Sequence, residues 1–302
     1  MLNKKYAVVD FGTNSARLMI ANVNKNKVVA LSKTLDTIRL GEKMNGGIIT
    51  NEAIKRAINS TTEFLKIAKA KKADEFYCFA TSAVREAKNT EEFVSSLKGE
   101  CGVDVEVISG EDEAKIGFLG ATQHTDGNIG LLDIGGGSTE VVLGLDNDII
   151  FSKSYLIGTV RLLEKYSTAS TKNLSEFEKS CQQVREVLSM LPENIASKNW
   201  IGIGGTVTAL AAIDLKLKVY DAKKVDGHYM SKENIIRLLD NLKSKTVKQR
   251  KRITGLDEKR ADVIVFGALI LYEFLDLVNV NGIRTSESDN LEGYLIEKLN
   301  LK

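Results

Sequence analysis

Apolar residues along this chain recur at two spacings, and the switches between them outline the elements. Alternating or continuous apolar runs predict strands at Tyr6–Asp10, Ala16–Asn22 and Lys27–Leu35, joined by the short polar turns "FGTNS" and "NKN". A helical stripe follows from Glu52 to about Lys71, with Ile54, Ile58, Phe64, Leu65 and Ala68 on one face and Thr50 or Asn51 as its cap. "EFYCFA" reads as a strand, Glu91–Lys98 as a helix, and "VDVEVI" as a strand with alternating faces. Ser109 then caps a helix that begins "GEDEAKIGFLGA", with Asp112 in a capping-box-like position.

The pattern then starts again. "IGLLDIGGGSTEVVLGLDNDIIFSKSY" gives strand, glycine turn, strand, polar turn, strand, in the order already met in "YAVVDFGTNSARLMIANVNKNKVVA". Asp10 and Asp133 each end a first strand, and each precedes a Gly-containing turn and a Ser; 123 residues separate them, about one domain. "NWIGIGGTVTALAAI" adds a strand, a turn and a helix. Further helices are expected at Ser231–Ser244, Arg260–Leu277 and Leu291–Leu299, with a strand near "GIRTS". The expectation is two α/β domains of related topology, residues 1–125 and 126–302, with ligand in the cleft between them beyond the strand ends.

Composition narrows the function class. With 42 basic against 40 acidic side chains the net charge is +2, so anion binding should be local rather than spread over the surface as in a nucleic-acid binder. The three cysteines, Cys78, Cys101 and Cys181, lack CxxC spacing and read as reduced thiols, which fits a cytoplasmic protein. No apolar run nears a membrane span, so no membrane partner is expected. His124 and His228 are the only histidines and read as structural, leaving little room for a His-based metal site or triad.

Candidate chemistry concentrates at the two turns. Glycine lets backbone N–H groups turn toward an oxyanion with no Cβ in the way. Gly135, Gly136 and Gly137 with Ser138 and Thr139 therefore read as a phosphate cradle, and Gly12, Thr13, Asn14 and Ser15 as a second. Asp10 and Asp133, at the ends of their strands, are placed to hold a divalent cation, because Mg²⁺ takes one or two carboxylates beside phosphate oxygens and water. Gly204, Gly205 and Thr206 open a helix after a strand, a position that favours an anion. Glu111, Asp112 and Glu113 all fall in a helix's first turn, where the dipole favours acids; about 100° apart, at most one or two can face a site. Arg17 sits in an alternating strand, either solvated or facing an anion. The basic run "KSKTVKQRKRITG" reads as solvated surface or as an anion-guiding rim.

Six ordered stretches, "VVDFGTNSARLMI", "FATSAVREA", "VISGEDEAKIGFLGA", "LLDIGGGSTEVVLG", "GIGGTVTALAA" and "GLDEKRADVIVFGALIL", resemble the successive motifs of the Ppx/GppA phosphatases, the exopolyphosphatases and guanosine pentaphosphate phosphohydrolases. The resemblance runs from Tyr6 to about Gly293 and implies two actin/ribonuclease H-like domains of the sugar-kinase/actin ATPase superfamily. It implies that Glu113 is the base that activates water, that Glu140 stands beside the attacking water or the metal, and that Arg85 holds phosphate. Arg17 would face the substrate's anionic groups, and the Gly204–Gly205–Thr206 turn would approach phosphate or nucleotide. The implied activity is hydrolysis of the terminal phosphoanhydride of inorganic polyphosphate, with Mg²⁺, or Mn²⁺ in its place, and a monovalent cation as an additional candidate.

The same chemistry on guanosine pentaphosphate is the near alternative; an alarmone-binding sensor and an acceptor-dependent kinase stand further off. Glu287 replaces a common Asp and Leu291 a common Arg, which removes one candidate phosphate contact. The chain ends at Lys302 without the helical C-terminal domains of longer members, so low processivity is expected. A homodimer is the expected assembly.

Overall fold

The computed structural model describes residues 4–301 except 124, 126, 146–147, 167–173, 193–194 and 196–198. His124 and the first two residues of the "DND" turn therefore lie outside the described residues. The chain divides into two units, Met1–Gln123 with Asn290–Lys302, and His124–Asp289.

The first unit opens with β1 (Lys5–Phe11), β2 (Ala16–Asn24) and β3 (Lys27–Asp36), an antiparallel meander. Then come α1 (Asn51–Ala70), β4 (Glu75–Ala80), α2 (Ser82–Arg85), α3 (Thr90–Cys101), β5 (Glu106–Val107) and α4 (Gly110–Thr122). The sheet order is β3-β2-β1-β4-β5, with β4 parallel to β1 and β5 parallel to β4. Strand β1 is central, and its alternation sends Ala7, Val9 and Phe11 into one apolar cluster and Tyr6 and Val8 into another. Helices α1 and α3 cover the first face; α4 lies on the second. Of the alternating "VDVEVI" stretch only Glu106–Val107 pairs with a neighbour, because its apolar residues Val103 and Val105 turn into the core before the ladder begins.

The second unit repeats the plan. Strands β6 (Asn128–Ile134), β7 (Thr139–Leu145) and β8 (Asp148–Tyr155) form the meander. They are followed by α5 (Thr159–Lys165), α6 (Leu174–Leu188), β9 (Asn199–Ile203), α7 (Gly204–Asp214), α8 (Ala222–Val225), β10 (Tyr229–Ser231), α9 (Lys232–Lys243), α10 (Val247–Arg250), α11 (Ile264–Leu277) and β11 (Gly282–Thr285). The order β10-β11-β9-β6-β7-β8 reproduces the first sheet and adds one antiparallel edge strand, β10. These are two mixed α/β units of one design, as the actin-like expectation requires. Helices α5 and α6 lie where no element is predicted, although Phe177, Val184 and Leu188 of α6 bury one face at helical spacing.

The last helix, α12 (Asn290–Lys298), departs from the predicted second half at 126–302, because it belongs to the first unit. Leu291, Tyr294, Leu295 and Ile296 are buried there beside Phe79 and Ile116, each side chain worth roughly 1.5–3 kcal/mol on removal from water. Tyr294 stacks on Phe79 at 4.6 Å and donates its hydroxyl to Glu106 Oε2 at 2.7 Å. Lys33 pairs with the buried Glu292 at 2.8 Å, and Lys115 with Glu297 at 2.6 Å. The buried Leu291 thus fills core at the position where the resemblance implies an arginine in other members.

Helices α12 and α4 cross so closely that a Cβ on Gly293 would lie 1.6 Å from the Ile116 carbonyl oxygen. Gly293→Ala is expected to destabilise the protein by about 2 kcal/mol or more in urea titration. Gly99→Ala, on α3 with nothing within 4 Å of the added carbon, is expected instead to stabilise it by about 0.5–1 kcal/mol.

Candidate active site

In each unit the strand-end aspartate and the turn after it have the same backbone frame. Gly12 N–H donates to the Ser15 carbonyl at 3.0 Å, and Gly135 N–H donates to the Ser138 carbonyl at 3.0 Å. The frames differ in what faces the aspartate across the hairpin. Asp10 is opposite Arg17, whereas Asp133 is opposite Glu140.

In the first unit Arg17 donates through Nε to Asp10 Oδ2 at 3.1 Å and also through Nη2. Asp10 is 4% exposed, so this partner offsets much of the cost of burying its charge. The carboxylate expected to hold a metal is already faced by a cation. Beside it, Asn14 Nδ2 approaches Ser15 Oγ at 3.4 Å. Helix α4 supplies the acids. Ser109 accepts from Asp112 N–H at 3.0 Å and donates to Asp112 Oδ2 at 2.7 Å, which holds that side chain outside; Glu111 is exposed as well. Glu113 alone of the three is buried, and Arg85, at the end of α2, donates to its Oε2 at 2.8 Å and to the Ile108 carbonyl at 3.1 Å. Packing thus selects one acid that helix periodicity leaves undecided.

In the second unit Asp133 and Glu140 are both buried, 6% and 1% exposed, and Ser154 donates to Glu140 Oε1 at 2.7 Å. Two buried carboxylates opposed across a strand pair fit a divalent cation, the chemistry the resemblance implies. A Cβ on Gly204, whose φ is +80°, would meet Asp133 Oδ1 at 2.4 Å, so the start of α7 comes directly against this carboxylate. The Arg260 guanidinium lies against Gly205, 2.3 Å from where a Cβ would stand, and Thr206 is buried against Gly267. Thr139 donates its hydroxyl to the Ile157 carbonyl at 2.6 Å and so ties the turn to the segment before α5.

That segment, unpredicted from the sequence, carries the residues that hold the glycine turn. Thr159 N–H donates to the Gly135 carbonyl at 3.0 Å, Val160 and Arg161 N–H to the Gly136 carbonyl at 2.8 and 3.1 Å, and Arg161 Nε to the Gly137 carbonyl at 2.8 Å. "LIGTVRL" has no charge cluster or glycine run to mark it, so only contact reveals it. Elsewhere, Glu287 accepts from the Tyr220 hydroxyl, and His228 pairs with Asp214 at 2.8 Å at the end of α7. Within the basic run Lys248, Lys251 and Arg252 are exposed, but Arg250 is fully buried and donates to the Leu242 carbonyl at 2.7 Å. Burial pulls its pKa down to about 10, against the nearby Asp262, so it stays charged at neutral pH.

The Ppx/GppA phosphatase family model matches residues 19–302. The chain belongs to this family. Among its family relatives, the exopolyphosphatase 2 of Mycobacterium tuberculosis is 30% identical over 96% of this chain and 97% of that protein. A bifunctional 3-dehydroquinate synthase/phosphatase of Fusobacterium nucleatum is 36% identical over 96% of this chain, which spans only 46% of that longer protein. A solved exopolyphosphatase-like protein superposes with a TM-score of 0.90 at 30% identity, covering 99% of this chain and 98% of its own. Among the described residues no helix is long and apolar enough to cross a membrane.

Arg17→Met, which removes one partner of a buried carboxylate, is expected to cost about 1–3 kcal/mol in denaturant titration. Adding Asp10→Asn to it should recover part of that loss, a coupling that a double-mutant cycle would measure.

Proposed function

We infer that this protein is an exopolyphosphatase: it hydrolyses the terminal phosphoanhydride of inorganic polyphosphate and releases orthophosphate. The observation that carries the reading is the pairing of the buried Glu113 with the half-buried Arg85, joined to family membership and to the full-length match with an exopolyphosphatase.

In this reading the two residues change partners when substrate arrives. Phosphate oxygens compete for the Arg85 fork, which matches their geometry. As the guanidinium turns to them, Glu113 loses its cation and gains negative neighbours, and both changes raise its proton affinity. Glu113 then takes a proton from water as the water oxygen attacks the terminal phosphorus. The bridging P–O bond breaks, and the remaining chain, one unit shorter, leaves with its electrons. In the second unit, N–H groups of the Gly135–Ser138 turn and the start of α7 at Gly204–Thr206 are candidate phosphate contacts; in the first unit the turn at Gly12–Ser15 is. Mg²⁺ or Mn²⁺, which Asp133 and Glu140 would hold, would supply neutralisation of phosphate charge. Asp10, with Arg17 against it, is the weaker candidate ligand.

The test is phosphate release by purified protein on polyphosphate and guanosine pentaphosphate in parallel. Turnover on polyphosphate is expected, lost on chelation and restored by Mg²⁺, with kcat lowered about 10²–10⁴-fold in Glu113→Gln. Turnover on guanosine pentaphosphate alone would transfer the same chemistry to that substrate. Binding without release from either would overturn the hydrolase reading in favour of a sensor.

A further inference from the structure

A peptide unit is planar and trans, so the carbonyl of one residue and the N–H of the next point in opposite directions. The three glycine carbonyls of the second unit's turn all accept from the same place: Gly135 from Thr159 N–H, Gly136 from Val160 and Arg161 N–H, and Gly137 from the Arg161 side chain at 2.8 Å. With those carbonyls drawn toward the first turn of α5, the N–H groups of Gly136, Gly137 and Ser138 face the other way, side by side. Successive N–H groups so arranged make an anion nest.

The contact is tight as well as polar. Gly158 precedes α5, and a Cβ there would stand 2.4 Å from the Gly136 carbonyl oxygen and 2.6 Å from the Gly137 nitrogen. Any side chain at this position must push the turn away. The first unit has the counterpart. After its third strand, Arg39 N–H donates to the Asn14 carbonyl at 2.9 Å and Gly41 N–H to the Thr13 carbonyl at 2.9 Å. Arg56 of α1 holds that loop through the Ile38 carbonyl at 2.7 Å and the Arg39 carbonyl at 3.1 Å. In both units, then, the segment leaving the meander grips the turn by its carbonyls.

We propose that Arg161 and Gly158 are positioning residues, which act through the backbone of Gly135–Gly137 to aim the N–H groups of Gly136, Gly137 and Ser138 at a phosphoryl group. The proposal rests on the phosphatase reading for the identity of the anion. Arg161 need not touch substrate: its bond to the Gly137 carbonyl fixes the peptide whose other end is the Ser138 N–H. A mis-set cradle, displaced by about 1 Å, is enough to lower a rate about 10²-fold.

Arg161→Gln, Arg161→Lys and Gly158→Ala are to be compared with the wild-type chain in phosphate release from polyphosphate, alongside thermal unfolding. Arg161→Gln and Gly158→Ala should lose about 10²-fold in kcat with KM changed less than about threefold, because the cradle acts mainly on the transferring group. Arg161→Lys, which keeps a donor for the Gly137 carbonyl, should recover to within about tenfold of wild type. A second arm reads the amide resonances of Gly136, Gly137 and Ser138 as polyphosphate is added. They should shift in the wild-type protein and much less in Arg161→Gln. Wild-type kcat in folded Arg161→Gln and Gly158→Ala, or losses that follow melting temperature with no rescue by Lys, would overturn the proposal. So would wild-type amides that ignore polyphosphate. Absent wild-type turnover would instead count against the phosphatase reading, while the amide arm still decides the role of Arg161.

Discussion

Charge buried at the end of a strand is the constraint on which the rest of this structure turns. Asp10, Glu113, Asp133 and Glu140 are each less than 10% exposed, and a carboxylate taken that far from water needs a cation or strong donors beside it. The apolar runs of β1 and β6 carry the aspartates into that position, because a strand that packs on both faces buries whatever ends it. The two units then answer the same demand differently. The first sets arginines against its acids, Arg17 on Asp10 and Arg85 on Glu113. The second opposes Asp133 with another acid, Glu140, whose Oε1 accepts from Ser154.

This asymmetry arises inside a duplicated frame. Arg17 and Glu140 occupy the same place after their respective turns, as Asp10 and Asp133 occupy the same place before them. A repeated backbone can keep its hydrogen bonds while side chains diverge, since the turn closes through peptide groups alone in both copies. Function in such a pair of units is therefore carried by substitutions on a conserved geometry. The strand order is common to both sheets, and only the short β10 edge is added in the second.

The last helix shows how distant segments complete a unit. No described residue between α4 and α12 belongs to the first sheet, yet the two helices meet through Gly293 and share one apolar cluster. Leu291 is part of that cluster and adds to its core. The ion pairs around it, Lys33 with Glu292 and Lys298 with Glu106, hold the helix at its rim and add less than the four buried side chains do.

The sequence by itself determined the strands, most of the long helices, the repeat of aspartate, turn and serine, and the α/β class. Those features rest on alternation, capping and turn chemistry, which act over a few residues and leave a local record. Ser109 as a cap and the frames of the two glycine turns are of this kind. Tertiary structure alone decided which of Glu111, Asp112 and Glu113 is buried, what Arg17 faces, that Arg250 of a basic run lies in the core, that "GTVR" grips the glycine turn, and that α12 joins the first unit. These depend on which side chains packing brings together and buries, and a pattern of apolar and polar positions does not contain that information.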